Sequence, residues 1–412
     1  MPNCCPLVLN IAANDSAGLA GLMMDVRTQT ALGVHSASVV TANTAQNNQS
    51  VISINAVTES VFSDQLKANA SLPIQAIKVG LVAHTDQITR IKAFAQSQAL
   101  PLVLDPVLKS SSGFSFSDAD FISAYTEQLL SACTLLTPNI DEAEMLAGLS
   151  IHSATDIETA ASRLLSLGAA AVFVKGGHFS SATPTYVQDY FTDGQVSFWL
   201  SSERVDTVNT RGTGCALSSA IASSLALGYS LYDAVVIGKM AISQGLRQAY
   251  ELEQEVGPVH ITHFPEQESD LPVLSQVPLV SDLPKAFPNC NKPLLGLYPV
   301  VDRAEWLKTL AAAGVSTIQL RVKDLQGDRL EKEIQQAVIY ANQYNMRLFV
   351  NDYWQQAIRY KAYGVHLGQE DLDKADIDQI RSAGLRLGIR TCEWNRRRMP
   401  APADCRRDWL RV

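Results

Sequence analysis

Short apolar runs alternate with helix-length segments along most of this chain, and that alternation leaves few architectures open. "LVLNIAA", "SASVVTAN", "AIKVGLV", "LVLDPV", "LLTPN" and "AVFVKGG" are each followed by a helix-like stretch. Strands buried on both faces read as nearly continuous apolar runs, so the pattern predicts a parallel sheet covered by helices. "TYVQDYFTDGQVSFWLSS" reads instead as a hairpin turning at Asp193-Gly194, followed by two more helices, the second from Leu231 to about Tyr250. One α/β domain is expected over 5–265.

Residues 266–293 are rich in proline and serine and have no sustained period, which predicts a linker. Alternation then resumes with "LGLYPVV", "TIQLRV", "RLFVND", "GVHLG" and "LRLGI", so a second βα domain is expected over 294–391. A length of 412 residues suits two domains. The formal charge of −8 argues against nucleic acid or a membrane surface as partner, since both call for basic patches. No apolar stretch reaches the ~20 residues of a membrane span, and the N-terminus lacks the basic start of a secretory signal. Seven cysteines are scattered without a C-x-x-C pair, so neither a zinc site nor a disulfide framework is indicated and a reducing cytoplasm is expected.

The chemistry concentrates at "VNTRGTGCALSSAIAS", where Gly212, Thr213, Gly214 and Cys215 stand at the point where a helical period begins. Unpaired N–H groups and the positive dipole end of a helix start, approached over glycines, suit a phosphate. In open α/β sheets ligands lie beyond the carboxyl ends of strands. Read there, the chain offers Asp25 in the helix after the first strand, then Gln46, Asp105, Asn139, Glu142 and Lys175. Singly, Asn139 and Glu142 read as a helix cap and its capping-box partner, and Asp25 as a solvated helix residue. Jointly they place polar groups on one rim.

Those segments, "NIAANDSAGLAGLMMDVRTQTALGVHSASVVTANTAQN", "IKVGLV", "VLDPVLKSSSG", "LLTPNIDEAEML", "VFVKGGH" and "NTRGTGCALSSAIA", resemble hydroxymethylpyrimidine kinases, ribokinase-like enzymes of three-layer α/β/α fold. The resemblance implies two successive ATP-dependent phosphorylations of the thiamine pyrimidine precursor, with ATP and Mg²⁺ as cofactors. It implies that Asp25 and Gln46 hydrogen-bond the pyrimidine while Gly21, Leu81 and Val107 line its pocket. Asp105, Asn139, Glu142 and Thr213 would surround Mg²⁺ and the ATP phosphates, Glu142 as a metal ligand. Lys175, Gly212, Gly214 and Cys215 would be catalytic. Ala13 and Leu19 stand where the family usually has glycine. Related sugar kinases carry an aspartate base at the position of Cys215; a helix dipole worth about 1 kcal/mol cannot keep a thiol ionised there, so Cys215 is expected to orient the hydroxyl.

"LYPVVD", "GVSTIQLRVKD", "RLFVNDYWQQAI" and "YGVHLGQEDL" resemble thiamine phosphate synthases, which are (β/α)₈ barrels. The resemblance implies diphosphate and Mg²⁺ binding by Gln319, Arg321, Lys323, Asn351, Asp352 and Asp371, with Asp352 and Asp371 on the metal. It stops at "LRLGIRT", with Arg390 in place of a small residue, and an arginine-rich tail, 392–412, follows. From Leu295 onward there are 118 residues, whereas such barrels need about 200, so an incomplete barrel of about five strands, without synthase activity and prone to self-association as a homo-oligomer, is expected. Pyridoxal kinase and a non-catalytic pyrimidine binder are the alternatives for the first domain. "TAQN" and Cys215 favour the pyrimidine kinase over the first, and the retained polar set argues against the second.

Overall fold

A computed structural model describes residues 5–47, 50–108, 119–177, 185–252, 255–280, 287–290, 296–372 and 374–390. Contacts divide the chain into two compact units, Met1–Leu283 and Pro284–Val412.

The first unit is built on β1 (Leu7–Asp15), which pairs in parallel with β2 (His35–Gln46) on one side and β4 (Ala76–Val79) on the other. Beyond β4 the parallel sheet continues through β5 (Leu102–Leu104), β6 (Leu135–Leu136) and β7 (Val172–Val174). Antiparallel strands finish both sides: β3 (Val51–Ala56) next to β2, and β8 (Tyr186–Thr192) and β9 (Ser197–Glu203) next to β7. The hairpin turns where the sequence indicates, with Gly194 at positive φ and Asp193 Oδ1 accepting the N–H groups of Gln195 and Val196.

Strand periodicity sorts the core into two layers. Leu7, Leu9 and Ile11 of β1, Leu102 and Leu104 of β5, and Val172 and Val174 of β7 face one helical layer. That layer comprises α2 (Glu59–Asn69), α3 (Thr85–Gln98), α4 (Ala119–Gln128), α5 (Ile140–Ala147) and α6 (Ala154–Ser166). Val8, Val103 and Phe173 point the other way, toward α7 (Thr213–Ala226) and α8 (Leu231–Arg247). The helix α1 (Gly21–Ala31) lies on this side too, and its Gln29 exchanges two amide hydrogen bonds with the buried Asn10 of β1. The expected three-layer architecture is present.

The strand order reverses at β1, since the chain leaves it first for β2 and later returns to its other edge as β4. A crevice at the carboxyl ends of β1 and β4 follows from that reversal.

Residues 266–293 require a correction. Val273–Ser275 forms β10, antiparallel to β9, and the Gln188 amide bonds both the carbonyl and the N–H of Leu279. This stretch therefore extends the sheet of the first unit, and the division between units falls after Leu283. An exposed edge strand has no apolar face to mark it: Leu274 is 54% exposed. The same reason hides β3, most of whose residues are exposed.

The second unit is a parallel sheet in the order β11 (Val300–Val301), β12 (Thr317–Leu320), β13 (Arg347–Asn351), β14 (Gly364–Gly368), β15 (Arg386–Arg390). Its core lies between the sheet and the helices α9 (Trp306–Ala312), α10 (Gly327–Gln343), α11 (Trp354–Arg359) and α13 (Ile377–Ser382), with α12 (Gln369–Leu372) following β14. Five strands are what the sequence predicts, and among the described residues β11 and β15 remain edges. The 392–412 tail lies outside the described residues, as do parts of "DPVLKSSSG" and His178 of "KGGH".

Candidate functional site

At the rim of the first sheet, Asp105 follows β5, Lys175 follows β7 and α7 begins with Thr213-Gly214-Cys215. Lys175 Nζ lies 2.8 Å from Asp105 Oδ1 and 3.8 Å from Glu142 Oε2. A Cβ added at Gly214 would sit 3.3 Å from that Nζ and 3.7 Å from Asp105 Oδ2, so the glycine brings the helix start directly onto the charged cluster. Asp105 also accepts long bonds from Thr137 and Ser218 at 3.4 Å each. Burial works against the Lys175 charge, but Asp105 and Glu142 outweigh it and raise its pKa. The result is a permanent cation against a helix N-terminus.

Gly212 caps α7 in the left-handed region (φ 77°), and a Cβ there would lie 2.4 Å from the Leu19 carbonyl and 2.6 Å from Met24 Cε. Gly21 (φ 56°) is equally constrained, 2.4 Å from the Ala13 carbonyl. These two glycines let the loop after β1 fold against the helix start. Asp15 shapes that loop by accepting the N–H groups of Ala17, Leu19 and Ala20 at 2.9–3.0 Å. Beside it, Ala13, Ala42 and Leu81 form a small apolar cluster with Val107 against them. Gln46 ends β2 next to this loop, its N–H bonded to Ser16 Oγ at 3.2 Å.

Asn139 and Glu142 form a complete capping box at the start of α5, each side chain accepting the other's backbone N–H at 2.8 Å. The modest reading is therefore correct, and the functional one is not displaced by it: Glu142 faces Lys175 as well.

Asp25 departs from expectation. Its side chain is fully enclosed and bonds Lys78 Nζ with both oxygens, at 2.9 and 3.0 Å, while Ser219 Oγ donates at 2.7 Å. Burial pushes the Asp25 carboxyl up and Lys78 pulls it back. The reading of Asp25 as a solvated helix residue is therefore corrected: its carboxylate is buried beneath α7 and paired with Lys78.

In the second unit, Gln319 Nε2 donates to Asn351 Oδ1 at 2.6 Å across β12 and β13, and Lys323 Nζ lies 2.6 Å from Asp352 Oδ2. Arg321 is exposed. Asp352 holds a positive φ of 64°, an unusual conformation for a non-glycine residue. Asp371 lies in α12, next to Gly368. Among the described residues no three His, Cys, Asp or Glu side chains converge on one point, so Asp352 and Asp371 do not form a ready-made metal cage with a third ligand.

Residues 15–260 match the family described as phosphomethylpyrimidine kinase, and residues 297–397 match thiamine monophosphate synthase. The hydroxymethylpyrimidine/phosphomethylpyrimidine kinase of Rhizobium meliloti is 38% identical over 62% of this chain and 97% of its own. The chain belongs to the phosphomethylpyrimidine kinase family. The thiamine biosynthetic bifunctional enzyme of Arabidopsis thaliana, described as chloroplastic, is 31% identical over 92% of this chain and 72% of its own. A probable rice counterpart, also chloroplastic, is 29% identical over 98% and 73%. The kinase unit is thus followed by a synthase-type module, and the bifunctional relatives match across most of this chain. Among solved structures, pyridoxal kinase of Staphylococcus aureus with AMP-PCP and pyridoxal superposes with a TM-score of 0.60 at 25% identity, covering 66% of this chain and 98% of its own. No helix of the described residues is long and apolar enough to cross a membrane.

For a kinase of this family the state of Cys215 matters. Burial pushes its thiol up to about 12; Lys78 pulls down, Asp25 and Asp105 push further up, and the Gly21 N–H lowers it. Cys215 is a neutral thiol at physiological pH. Several partners escaped the sequence reading: Lys78, Ser218, Ser219, Thr137 and Asp15. Lys78 had a usable signal, a lysine inside the apolar run "AIKVGLV".

Burial also pushes the Glu142 carboxyl up to about 7, against the pull of Lys175, from an ordinary value of 4.5. Between those values the folded chain keeps a proton that the unfolded chain has released. Glu142's contribution to stability is therefore complete below 4.5 and is lost as pH rises through about 7. In the ligand-free protein, Glu142→Gln, which retains the capping box, is expected to flatten the decline of Tm across that window. An unchanged slope would show that Lys175 keeps the carboxylate ionised throughout.

Proposed function

We propose that the first unit transfers the terminal phosphoryl group of ATP to hydroxymethylpyrimidine and then to its monophosphate, at the start of α7. The observation that carries this reading is the approach of Lys175 and Asp105 to the helix N-terminus, where a Cβ added at Gly214 would lie 3.3 Å from Lys175 Nζ and 3.7 Å from Asp105 Oδ2. Phosphoryl transfer passes through a loose transition state, so positioning and charge neutralisation dominate. The amides of Gly212 to Gly214 and the Lys175 ammonium supply both. The apolar cluster of Ala13, Ala42, Leu81 and Val107 provides a floor for the ring, with Gln46 at its edge.

ATP as donor is supported by the nucleotide analogue named with the S. aureus relative. Mg²⁺ fits the donor set, because the metal takes one or two carboxylates and completes its shell with phosphates and water, and Asp105 and Glu142 are hard oxygen ligands. When bound it would neutralise phosphate charge; Asn139 stays the cap that orients Glu142. A cytoplasmic location is part of this reading, supported by free Cys5, Cys133, Cys215 and Cys290, although the plant relatives carry chloroplast names.

Cys215 lines up the acceptor hydroxyl as a neutral thiol. Cys215→Ser keeps a small polar group and is expected to slow the first transfer by about tenfold or less, with the second, onto an already ionised phosphate, nearly unchanged. Equal losses of a hundredfold or more in both steps would assign Cys215 a different role.

The second unit retains groups suited to a diphosphate, namely Gln319, Arg321, Lys323, Asn351 and Asp352. We propose that the five strands among the described residues do not by themselves complete thiamine phosphate synthesis. Edges left at β11 and β15 among the described residues, with Leu297 72% exposed, support self-association into a homo-oligomer. Thiamine phosphate is expected to be undetectable when the purified chain is given pyrimidine diphosphate and thiazole phosphate. Turnover that disappears in Asp352→Ala would overturn this.

A further inference from the structure

The charged pair of Lys239, in α8, and Asp189, in β8, takes no part in the site described above. Both side chains are more than nine-tenths buried, and Nζ lies 2.6 Å from Oδ2. Lys239 Nζ also donates to the Val187 carbonyl at 3.3 Å. The second carboxylate oxygen, Oδ1, accepts the backbone N–H of Gly176 at 2.7 Å.

Gly176 is the residue directly after Lys175. The N–H of Lys175 itself donates to the Pro138 carbonyl at 2.8 Å, where β6 leads into α5. The backbone carrying Lys175 is therefore gripped on both sides, by Pro138 before it and by Asp189 after it. No other residue fits at Gly176, because a Cβ would lie 1.8 Å from the Gln188 carbonyl of the same β8 strand.

A buried ion pair is a poor source of stability, since apolar residues of similar volume do as well or better in its place. Stability alone does not account for this pair. We propose that Lys239 and Asp189 position Lys175: Lys239 fixes the Asp189 carboxylate, Asp189 fixes the Gly176 amide, and that amide sets the direction in which the Lys175 side chain leaves the sheet. Phosphoryl transfer is sensitive to this, because a misplacement of about 1 Å can cost about a hundredfold in rate. The inference rests on the assignment of Lys175 to the phosphates.

Two double variants of the full chain separate positioning from mere packing. Asp189→Leu with Lys239→Met removes both charges, fills the space and leaves the Gly176 N–H without its acceptor. Asp189→Asn with Lys239→Met removes the same charges but keeps an acceptor oxygen. With both folded by circular dichroism, the Leu/Met variant is expected to lose about tenfold or more in kcat with KM for the pyrimidine unchanged, while the Asn/Met variant stays within about threefold of the parent. Should Leu/Met fail to fold, Asp189→Ala with Lys239→Met takes its place in the same comparison. Parental kcat in the variant lacking the acceptor, or equal losses in both, overturns the proposal. Lys175→Met distinguishes the two levels: if it leaves kcat intact the assignment of Lys175 fails, whereas if it abolishes transfer while Leu/Met remains active only the positioning fails.

Discussion

Lys175→Met is expected to lower kcat for phosphoryl transfer by about 10²- to 10³-fold while leaving KM for the pyrimidine within about twofold of the parent. The ammonium stands 2.8 Å from Asp105 and faces the start of α7 across Gly214, the place where transferred charge would develop. Methionine fills much the same volume without the charge. It also removes the cation that opposes the upward push of burial and Asp105 on Glu142, so Glu142 is expected to hold its proton to higher pH and the rate to fall further toward acid. The apolar cluster around Leu81 is untouched, which is why the pyrimidine KM is the internal control. Initial rates over a pH series test this; a kcat within threefold of the parent would remove Lys175 from the chemistry.

Lys78→Met is expected to be the most destabilising single change in the kinase unit, by about 3–5 kcal/mol, because it leaves the Asp25 carboxylate buried without its countercharge. Both side chains are wholly inaccessible, and Asp25 retains only the Ser219 hydroxyl. In a domain of this size each 1 kcal/mol moves Tm by about 2–4 °C, so a loss of some 6–20 °C is anticipated for that unit. Adding Asp25→Leu removes the stranded charge and is expected to restore much of the loss. Calorimetry of the two variants checks this; an additive further loss in the double variant would show that the two residues do not act as a pair.

The Asp25 result shows where reading residues in order runs out. Strand ends, the α7 start and the hairpin are local signals, carried by apolar runs, glycines at the turn and an Asp-Gly pair, and they appear in the structure where the sequence puts them. The partner of Asp25 is 53 residues away in β4, and no spacing rule connects the two. A lone lysine in "AIKVGLV" announces a buried partner without naming it. The Asn139–Glu142 box is legible from its three-residue spacing, yet the approach of Glu142 to Lys175 depends on how β7 is placed beside α5. Asp189 and Lys239 gave no signal, because each stands in a segment whose surroundings only the folded sheet supplies. Edge strands β3 and β10 were missed for the opposite reason: they bury too little to impose a period. In the second unit the apolar runs of β12, β13 and β14 are legible as buried strands, whereas the roles of Gln319, Lys323 and Asp352 rest on the family resemblance alone.

The account depends on one event, movement of a phosphoryl group from ATP to the pyrimidine alcohol beside Lys175. Mass spectrometry of the products formed from hydroxymethylpyrimidine and ATP by the purified chain tests it directly. The monophosphate and then the diphosphate are predicted, with ADP released in step and both products formed about 10²- to 10³-fold more slowly in Lys175→Met. ADP formation that does not depend on the pyrimidine, or no phosphorylated pyrimidine at all, would contradict it.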